Sequence, residues 1–462
     1  MYSIDIDEIL GAEKINLSDM LDAREKRASM HKRILSEYGM TLISFTLNIP
    51  GSVKKFPLAQ KTFEEGVKLI AGRLEKNRIS IAYEEDNISN TGYERYMAVD
   101  CGAGHVKKMM IDIEDGCSLG RVFDIDVFDP QGNGISRGDV GESRRACLLC
   151  GESSHACARS ERHSKEELVR KTIDIMLEYF SRKFADTCSA LACKALMYEV
   201  MTTPKPGLVD RDNNGSHRDM DIYTFIDSTS ALTPHFRDYV LAGIEFCSDS
   251  PKRLFKRVRY IGMEAEDDMF RATDNVNTHK GLIFSLGVIC VAMGYLFGNS
   301  RNVDVENILD ITRDMTENVL DDFKGIDINT ARTCGEKLYA LYGITGIRGE
   351  ASEGFPSVRD CGLPVMRKLV REGMSLNDAG ALTLLNLIAS VRDTNIISRA
   401  DIQIQERVQT DIRKLIGDDI GSVSFKDIED LNRRFIELNI SPGGCADLLA
   451  VTFMLYFVEN NI

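Results

Sequence analysis

The stretch from Glu199 to Tyr223 concentrates side chains that could do chemistry, and it reads EVMTTPKPGLVDRDNNGSHRDMDIY. Pro204, Pro206 and Gly207 interrupt a helical pattern there, because proline lacks a backbone donor and glycine permits turn geometry. The loop that follows carries carboxylates, amides and one imidazole at Asp210, Asp212, Asn213, Asn214, His217, Asp219 and Asp221. Hard oxygen ligands of this kind suit Mg²⁺ and a phosphorylated substrate. A solvated polar loop is the commoner object, so the stretch alone leaves both interpretations open.

Four shorter polar clusters separate the apolar runs that follow this loop. They are Asn277-Thr278-His279-Lys280, Arg348-Gly349-Glu350 within TGIRGEASEGFP, Asp393-Thr394-Asn395, and Ser441-Pro442-Gly443-Gly444 ahead of Asp447. The first begins an apolar helix, where free N–H groups favour phosphate, and the glycines let a backbone approach a ligand closely. Each cluster alone is most often a cap or a turn. Together with Lys205 and the loop, they offer enough oxygen ligands, cations and glycines for a buried polyphosphate site.

A second candidate site lies in the segment RVFDIDVF, from Arg121 to Phe128. Successive side chains of a strand point to opposite faces, so Asp124 and Asp126 project together from one face. Two carboxylates one strand repeat apart can share divalent cations and bind a nucleotide triphosphate, with pyrophosphate as the leaving group. An ordinary amphipathic strand with one wet face would look the same.

Three cysteines and a histidine follow this strand, at Cys147, Cys150, Cys157 and His163. A C-x2-C pair with a third cysteine and a histidine could form a tetrahedral zinc site. The spacings fit no standard zinc finger. Two alternatives stay open: reduced structural cysteines, and a loop whose arginines bind phosphates.

The first part of the chain predicts four strands and two helices. The predicted strands are Ile43 to Ile49, Ile79 to Tyr83, Arg95 to Val99 and Arg121 to Phe128, with helices from Pro57 to Leu74 and from His105 to Glu114. This βαββαβ order predicts an α+β domain of the ferredoxin-like split-βαβ type. A capping-box pair, Ser164 and Glu167, then begins a helix that leads into the second part.

The second part of the chain is predicted to be all-α. Helical runs cover Thr187 to Met201, Thr224 to Cys247, Gly281 to Phe297, Val305 to Asp322, Asn377 to Val391, Ile402 to Ile416 and Asp447 to Val458. The run from Gly281 to Gly298 is long and apolar enough to be considered as a membrane span. It contains several glycines and directly follows a polar cluster, so we expect the central helix of a large α-domain and no membrane partner.

The composition limits the classes of partner and compartment. With 462 residues, the chain is predicted to form more than one domain. A net charge of −14 argues against general binding to nucleic acid, which needs a basic surface. No cationic segment followed by an apolar core and a cleavage site begins the chain, so we expect no secretory signal. The twelve cysteines are therefore expected to be reduced thiols in the cytoplasm.

The polar segments, taken as a set, resemble two known enzyme families. EVMTTPKPGLVD, NGSHRDMD, NTHKG, RGEA and SPGGCADLLA resemble the triphosphoribosyl-dephospho-CoA synthase family across residues 179–462. LGRVFDIDVF with RRACLLC, CARS and His163 resembles apo-citrate lyase phosphoribosyl-dephospho-CoA transferase over residues 1–178. The chain therefore resembles a fusion of the two. After Asp393 and Asn395 the synthase family commonly has a glycine pair near an arginine, whereas here Arg399 precedes Ala400.

The resemblance implies two consecutive reactions that make and attach the prosthetic group of citrate lyase. ATP and 3'-dephospho-CoA would give the triphosphoribosyl compound and adenine, and a serine of the apo acyl carrier (gamma) subunit would then accept the group and release pyrophosphate. It implies Mg²⁺ at Asp124 and Asp126 in the first domain, and at Asp210, Asp219 and Asp221 in the second. Glu350 would serve the ribose or act as base. The nucleotide ligands implied are Lys205, Asn214, His217, Asn277, His279, Lys280, Arg348, Asp393, Asn395, Gly443 and Gly444.

Two other functions remain open from the residues themselves. The first is an all-α, Mg²⁺-dependent nucleotide or ADP-ribose hydrolase, which would transfer the ribosyl group to water. The second is a non-enzymatic zinc adaptor built on the cysteine cluster.

Overall fold

A computed structural model describes residues 14–153, 157, 159–160 and 162–462 of the chain. Residues 1–13, on which the expectation about a secretory signal rests, lie outside the described residues. The chain divides into two compact units, the first ending at Ser181 and the second beginning at Arg182. The division falls within one helix, Lys165–Met201.

The N-terminal unit is built on one four-stranded antiparallel sheet. Its elements in chain order are α1 (Leu17–Tyr38), β1 (Thr41–Leu47), α2 (Pro57–Lys76), β2 (Ile81–Ser89), β3 (Gly92–Val99), α3 (Ala103–Gly116) and β4 (Phe123–Phe128). The strand order is β2-β3-β1-β4, and every neighbouring pair is antiparallel. Both central strands are therefore flanked on each side, and β4 lies at an edge.

Helix α1 was not predicted, because its sequence is charged around most of its circumference. A capping box between Asn16 and Asp19 begins it, and Gly39 ends it with φ +63°. The predicted strand from Ile79 to Tyr83 is longer than expected and runs to Ser89. The second part of this strand, EEDNIS, has a polar composition that resembles a loop. In the structure its residues alternate between exposed and half-buried positions.

The two faces of the sheet are covered by different helices. On one face α2 and α3 pack over a core that includes Phe45, Phe123 and Ile125. On the other face α1 covers a smaller cluster around Ile34 and Tyr96. Because β4 places its apolar residues in the first core, the two aspartates that alternate with them lie on the α1 face.

The described elements of the C-terminal unit are all helical. After the second part of α4 (Lys165–Met201) they are α5 (Ile222–Glu245), α6 (Pro251–Ala272), α7 (Lys280–Gly298), α8 (Val305–Thr316), α9 (Cys334–Tyr342), α10 (Gly346–Ser352), α11 (Leu363–Arg371), α12 (Leu376–Ser390), α13 (Thr394–Arg399), α14 (Ile402–Ile416), α15 (Phe425–Glu437) and α16 (Gly443–Asn461). Helices α6, α11 and α15 were not predicted, because each has one narrow buried stripe on a strongly charged helix. The predicted run from Val305 to Asp322 ends as an α-helix at Thr316 and continues as a short 3-10 turn.

Helix α7 is the central helix of this unit. Among the described residues it is the one helix long and apolar enough to cross a membrane, but 78% of its apolar window is buried inside the protein. It packs closely on α5, since a Cβ added at Gly294 would lie 2.1 Å from the carbonyl oxygen of Val240. A Cβ at Gly243 would in turn lie 2.3 Å from the carbonyl oxygen of Val291. The glycines of this segment therefore serve a close helix crossing, as expected for a core helix.

We predict that Gly294→Ala destabilises the C-terminal unit, because the added methyl group would force two packed backbones apart. The expected loss in the free energy of unfolding is about 1–3 kcal/mol, the usual range for overpacking. Gly335→Ala in α9 is the matched control, since a Cβ there meets nothing within 4 Å. Urea unfolding followed by circular dichroism would measure both, and equal midpoints for the two variants would contradict the close crossing.

Candidate active sites and metal centre

One cavity of about 760 Å³ in the C-terminal unit gathers most of the predicted nucleotide-binding residues. Its walls come from the polar loop after α4 and from the segments that begin α7, α10 and α16. The predicted residues that line it are Lys205, His217, Asp219, Asn277, His279, Lys280, Glu350, Asp393, Asn395, Gly443 and Gly444. Segments separated by more than two hundred residues in sequence thus meet around one space.

The polar loop is folded around Asp210, which lies outside the cavity lining. Its carboxylate accepts hydrogen bonds from the Thr203 hydroxyl (2.9 Å) and from the backbone N–H groups of Lys205 (3.0 Å) and Asp212 (2.8 Å). Only 2% of Asp210 is exposed. These bonds engage both carboxylate oxygens and give Asp210 a role in holding the loop. Its assignment as a metal ligand stays a prediction.

Three further predicted residues also lie outside the cavity lining. Asp221 caps α5 and accepts a hydrogen bond from the backbone N–H of Thr224 (3.0 Å). Arg348 points towards Asp322 at 3.4 Å and lies over the ring of Phe323. Asn214 is not among the lining residues. Asp219 is therefore the one predicted metal-binding carboxylate of this loop that reaches the cavity.

A buried ion pair underlies the cavity. The Lys205 ammonium donates to the Glu199 carboxylate, and the two side chains are 1% and 3% exposed. Burial raises the pKa of Glu199, while the charge of Lys205 acts in the opposite direction. Because an isolated buried charge is costly, each partner depends on the other.

Two more carboxylates lie close to this pair, of which Asp393 is buried and Asp447 is half-buried. Asp393 caps α13 and accepts hydrogen bonds from the backbone N–H groups of Asn395 (2.8 Å) and Cys445 (2.7 Å), which joins α13 to the beginning of α16. Burial, the charge of Glu199 and the charge of Asp393 together raise the pKa of Asp447 well above its usual value. Asp447 lines the cavity with a carboxyl group that holds its proton more readily than an exposed one.

His279 is a buried, neutral imidazole in the cavity wall. Its Nδ1 is 2.6 Å from the Ser228 hydroxyl oxygen, and the Thr278 hydroxyl donates to that oxygen at 2.8 Å. The Ser228 hydroxyl therefore accepts from Thr278 and donates its own hydrogen to Nδ1 of His279. The ring hydrogen of His279 then lies on Nε2. Nε2 is buried and has no hydrogen-bond partner in the described part of the chain. Burial, assisted by the charge of Lys205, lowers the pKa of His279 to about 3.

Glu350 and Arg399 complete the polar wall. Glu350 accepts hydrogen bonds from the Ser357 hydroxyl (2.5 Å) and backbone N–H (3.1 Å), and burial raises its pKa. Arg399 donates to the carbonyl oxygen of Ser216 at 3.2 Å and approaches Nδ1 of His217 at 3.3 Å. Arg399 lines the cavity. It does so although the residues after it differ from the glycine pair that is common in the synthase family.

In the N-terminal unit, Asp124 and Asp126 lie side by side on β4, opposite Thr46 and Ser44 of β1. Partial desolvation and the charge of Asp124 raise the pKa of Asp126, while the charges of Lys107 and Arg27 oppose this shift. Two carboxylates side by side, one of which raises the pKa of the other, are a suitable pair for a divalent cation.

Cations lie close to these carboxylates, in a small cavity of about 200 Å³ that Asp124 shares with Arg24, Arg27 and Lys54. Burial lowers the pKa of Lys54. Arg27 is paired with Glu94 at 2.6 Å. The sequence analysis did not find Arg24 or Arg27, because both belong to the unpredicted helix α1.

Three sulfur atoms and one imidazole meet in the same unit. Candidate ligand atoms of Cys147, Cys150, Cys157 and His163 all lie within 4.8 Å of one another. The sulfur atoms of Cys150 and Cys157 are 3.3 Å apart. Nε2 of His163 is buried and lacks a hydrogen-bond partner among the described residues. The cluster could hold a metal ion, as one of the interpretations of the sequence predicted.

Comparison with known proteins assigns these two units. The family described as ATP:dephospho-CoA triphosphoribosyl transferase (CitG) matches residues 185–462, and the family described as apo-citrate lyase phosphoribosyl-dephospho-CoA transferase (CitX) matches residues 15–179. The chain belongs to both families. It is a bifunctional transferase that makes and attaches the prosthetic group of citrate lyase, as the resemblance implied.

Curated relatives share the fused arrangement. A protein named CitXG from Haemophilus influenzae is 35% identical over 458 residues, covering 97% of this chain and 97% of the relative. A CitXG protein from Leuconostoc mesenteroides subsp. cremoris is 33% identical, covering 97% and 98% of the two chains. A protein from Vibrio cholerae named probable 2-(5''-triphosphoribosyl)-3'-dephosphocoenzyme-A synthase is 41% identical over 271 residues, which cover 58% of this chain and 86% of the relative.

Within the CitG-type unit, the sequence analysis did not assign Glu199 or Asp447 to the site. Each is an acidic residue inside a locally apolar stretch of its helix, in LMYEVM and CADLLAV. That placement is a usable signal, since an unpaired carboxylate on a buried helix face is disfavoured unless it serves a site.

We predict that His279 makes the stability of this unit depend on pH. The unfolded chain binds a proton at the ordinary histidine pKa of 6.5, whereas the folded chain binds it only near pH 3. The free energy of unfolding should therefore fall as the pH is lowered from about 6.5 towards 3, by up to about 1.4 kcal/mol per pH unit for this one group. His279→Asn should remove that part of the slope, and parallel pH curves for the two proteins would contradict the buried, neutral imidazole.

Proposed function

We propose that the cavity of the C-terminal unit binds ATP with Mg²⁺ and 3'-dephospho-CoA. The 2'-hydroxyl oxygen of 3'-dephospho-CoA forms a bond to C1' of the ATP ribose while the bond from C1' to adenine breaks. The triphosphate stays on the ribose, and the hydroxyl proton passes to a base. The observation that carries this proposal is the single cavity of about 760 Å³ that combines phosphate-type groups with buried carboxylates.

Phosphate binding is assigned to the groups at the beginnings of α7 and α16. Lys280 and Asn277 lie where α7 begins, and Gly443 and Gly444 begin α16, so two helix N-termini face one space. The Lys280 ammonium, which is paired with Glu266 at 2.7 Å, adds a cation there. The Nε2–H of His279 supplies an uncharged donor for a phosphate oxygen. A neutral donor suits a site whose buried carboxylates already balance Lys205.

Mg²⁺ would be held by Asp219 together with the phosphates of ATP, where it would neutralise their charge. Asp219 lines the cavity and its side chain is 65% exposed, so its oxygens are open to a ligand. Mg²⁺ is commonly bound through one or two carboxylates plus substrate phosphates. We assign Mg²⁺ to Asp219 and not to Asp210, because the oxygens of Asp210 accept the hydrogen bonds that hold the loop.

Two carboxyl groups are assigned to the reacting centre. Displacement at C1' develops positive charge on the ribose, which the carboxylate of Glu350 stabilises while Ser357 fixes its direction. Asp447 takes the hydroxyl proton, because its carboxyl group lines the cavity and desolvation raises its pKa, which favours the protonated form.

In the N-terminal unit, we propose that Asp124 and Asp126 hold Mg²⁺ while a serine hydroxyl of the apo acyl carrier subunit attacks the α-phosphorus of the triphosphoribosyl intermediate. The new ester bond forms as the bond to pyrophosphate breaks. Arg24 and Lys54 stand beside Asp124, where they can neutralise the departing phosphates. We also propose the ferredoxin-like split-βαβ fold for this unit, with α1 added; the antiparallel order β2-β3-β1-β4 supports it.

For the Cys/His cluster of this unit we propose zinc as the metal. Three thiolates and one imidazole are a donor set that zinc favours, whereas Mg²⁺ prefers oxygen ligands.

We predict that Asp219→Asn stops the first reaction. Loss of the metal-binding carboxylate should lower adenine release by about a hundredfold or more, since each tenfold corresponds to about 1.4 kcal/mol in the barrier. Products from ATP plus 3'-dephospho-CoA would be quantified by mass spectrometry. Asp227→Asn is the matched control, because Asp227 is exposed on α5 and does not line the cavity. Unchanged adenine release in Asp219→Asn would remove Asp219 from the site, and adenine formed from ATP alone would favour the hydrolase.

We predict that the two reactions can be separated by mutation. The double variant Asp124→Asn and Asp126→Asn nearly keeps shape and volume but removes two charges from the proposed Mg²⁺ site. It should release adenine at the normal rate and accumulate the triphosphoribosyl intermediate, while the carrier subunit stays unmodified and no pyrophosphate appears. Normal carrier modification would show that β4 has only an ordinary wet face. Lost adenine release from a folded double variant would contradict the assignment of one reaction to each unit.

A further inference from the structure

The turn from Cys147 to Cys150 has the local geometry of a metal-binding turn. The backbone N–H groups of Leu149 and Cys150 donate to the Cys147 sulfur. Leu148, between the two cysteines, packs against the core that contains the apolar face of β4. Ala146 and Ser153 form an isolated antiparallel bridge, with Cys147 N–H donating to the carbonyl oxygen of Glu152 at 2.6 Å. Contacts of the chain itself thus connect the first two ligands to the sheet core.

Two arginines connect this turn to β4. Arg145 lies two residues before Cys147, and its guanidinium donates to the carbonyl oxygens of Phe123 (2.6 Å) and Gly120 (3.1 Å). Arg121 donates in the other direction, to the carbonyl oxygen of Ala146 at 2.6 Å. Phe123 immediately precedes Asp124, so the metal-binding turn is tied to the backbone at the first catalytic aspartate.

Glu114 extends this connection along the strand. This carboxylate, on a residue only 3% exposed, lies 3.0 Å from the Arg145 guanidinium and accepts a hydrogen bond from the backbone N–H of Ile125 at 3.1 Å. Lys107 donates to the carbonyl oxygen of Ile125 at 2.8 Å. Ile125 separates the two aspartates, and β4 is an edge strand whose outward polar groups need partners. Of the side chains that supply those partners, Glu114 is held by Arg145 and also by Arg137, whose guanidinium lies 2.8 Å from its other oxygen.

From these contacts we infer that zinc bound by Cys147, Cys150, Cys157 and His163 fixes Arg145 against β4 and thereby sets the positions of Asp124 and Asp126. The inference rests on the proposed transfer function of the two aspartates. Arg145 is a positioning residue, since it contacts the backbone of β4 and Glu114. The metal closes the loop between Cys147 and His163, and closing a loop removes conformational freedom from the connected backbone.

The metal is tested first, on the full chain purified without added zinc. Metal analysis should find about one zinc per chain, as for a closed four-ligand site. Cys150→Ser should lose the zinc and carrier modification while adenine release continues. His163→Cys, which restores a fourth zinc ligand, should keep both zinc and carrier modification. Cys101→Ser, at a half-buried cysteine outside the cluster, is the matched control and should also keep both. A folded, metal-free protein that modifies the carrier at the normal rate would overturn the inference.

The positioning role is tested separately with Arg145→Ala. This variant should keep its zinc but lose transfer rate on the order of a hundredfold, the effect of displacing a catalytic group by about 1 Å. It should also need more Mg²⁺ for half-maximal transfer, a readout that lost stability alone would not change in folded protein. Arg145→Lys should recover part of the rate, and Arg73→Ala, which removes an exposed ion pair with Asp112, should leave rate and Mg²⁺ dependence unchanged. Normal transfer and Mg²⁺ dependence in Arg145→Ala would overturn the link between zinc and β4. If the variant with both aspartates replaced also transfers normally, the proposed transfer site itself fails, whatever the zinc content.

Discussion

The buried pair of Lys205 and Glu199 is the interaction on which the synthase cavity depends. Two charges removed from water lose several kcal/mol of hydration each, and they are tolerated only when the pair is close and its remaining polar groups are bonded. The backbone N–H of Lys205 is held by Asp210, which also holds the next turn of the loop. The same charge of Lys205 helps to keep His279 neutral. The folding of the polar loop, the charge of Glu199 and the neutral state of His279 therefore all depend on Lys205.

Burial serves a chemical purpose in this cavity. Burial raises the pKa values of Glu199, Asp393 and Asp447, and the charges of Glu199 and Asp393 raise that of Asp447 further. A site that must accept a hydroxyl proton and stabilise positive charge on a ribose benefits from carboxyl groups with unequal proton affinities. The hydrogen bonds from Asn395 and Cys445 to Asp393, and from Ser357 to Glu350, fix the directions of these two carboxylates.

In the transferase unit, the two aspartates lie on an edge strand, so the position of that strand must be fixed by side chains. An edge strand has unpaired backbone groups on one side and would otherwise be free to shift or twist. Here Lys107, Glu114 and Arg145 satisfy the outward groups of Phe123 and Ile125. The aspartates remain open on the α1 face while the opposite face packs into the core, which combines access with a fixed spacing.

The sequence by itself determined whatever depends on neighbours along the chain. Alternation in RVFDIDVF puts Asp124 and Asp126 on one face of any strand, and the buried character of α7 follows from its unbroken apolar run. The motifs were also sufficient to indicate both enzyme families.

Only the tertiary structure decided which of the polar residues face the cavity. Asp210 and Asp219 are alike in sequence. The oxygens of Asp210 accept hydrogen bonds within the loop, whereas Asp219 is exposed and lines the cavity. Glu199 and Asp447 became site residues because two helices distant in the chain meet, and burial changes their proton affinity. The reason is physical: hydrogen-bond partners and desolvation come from contacts across the fold, which no local pattern encodes.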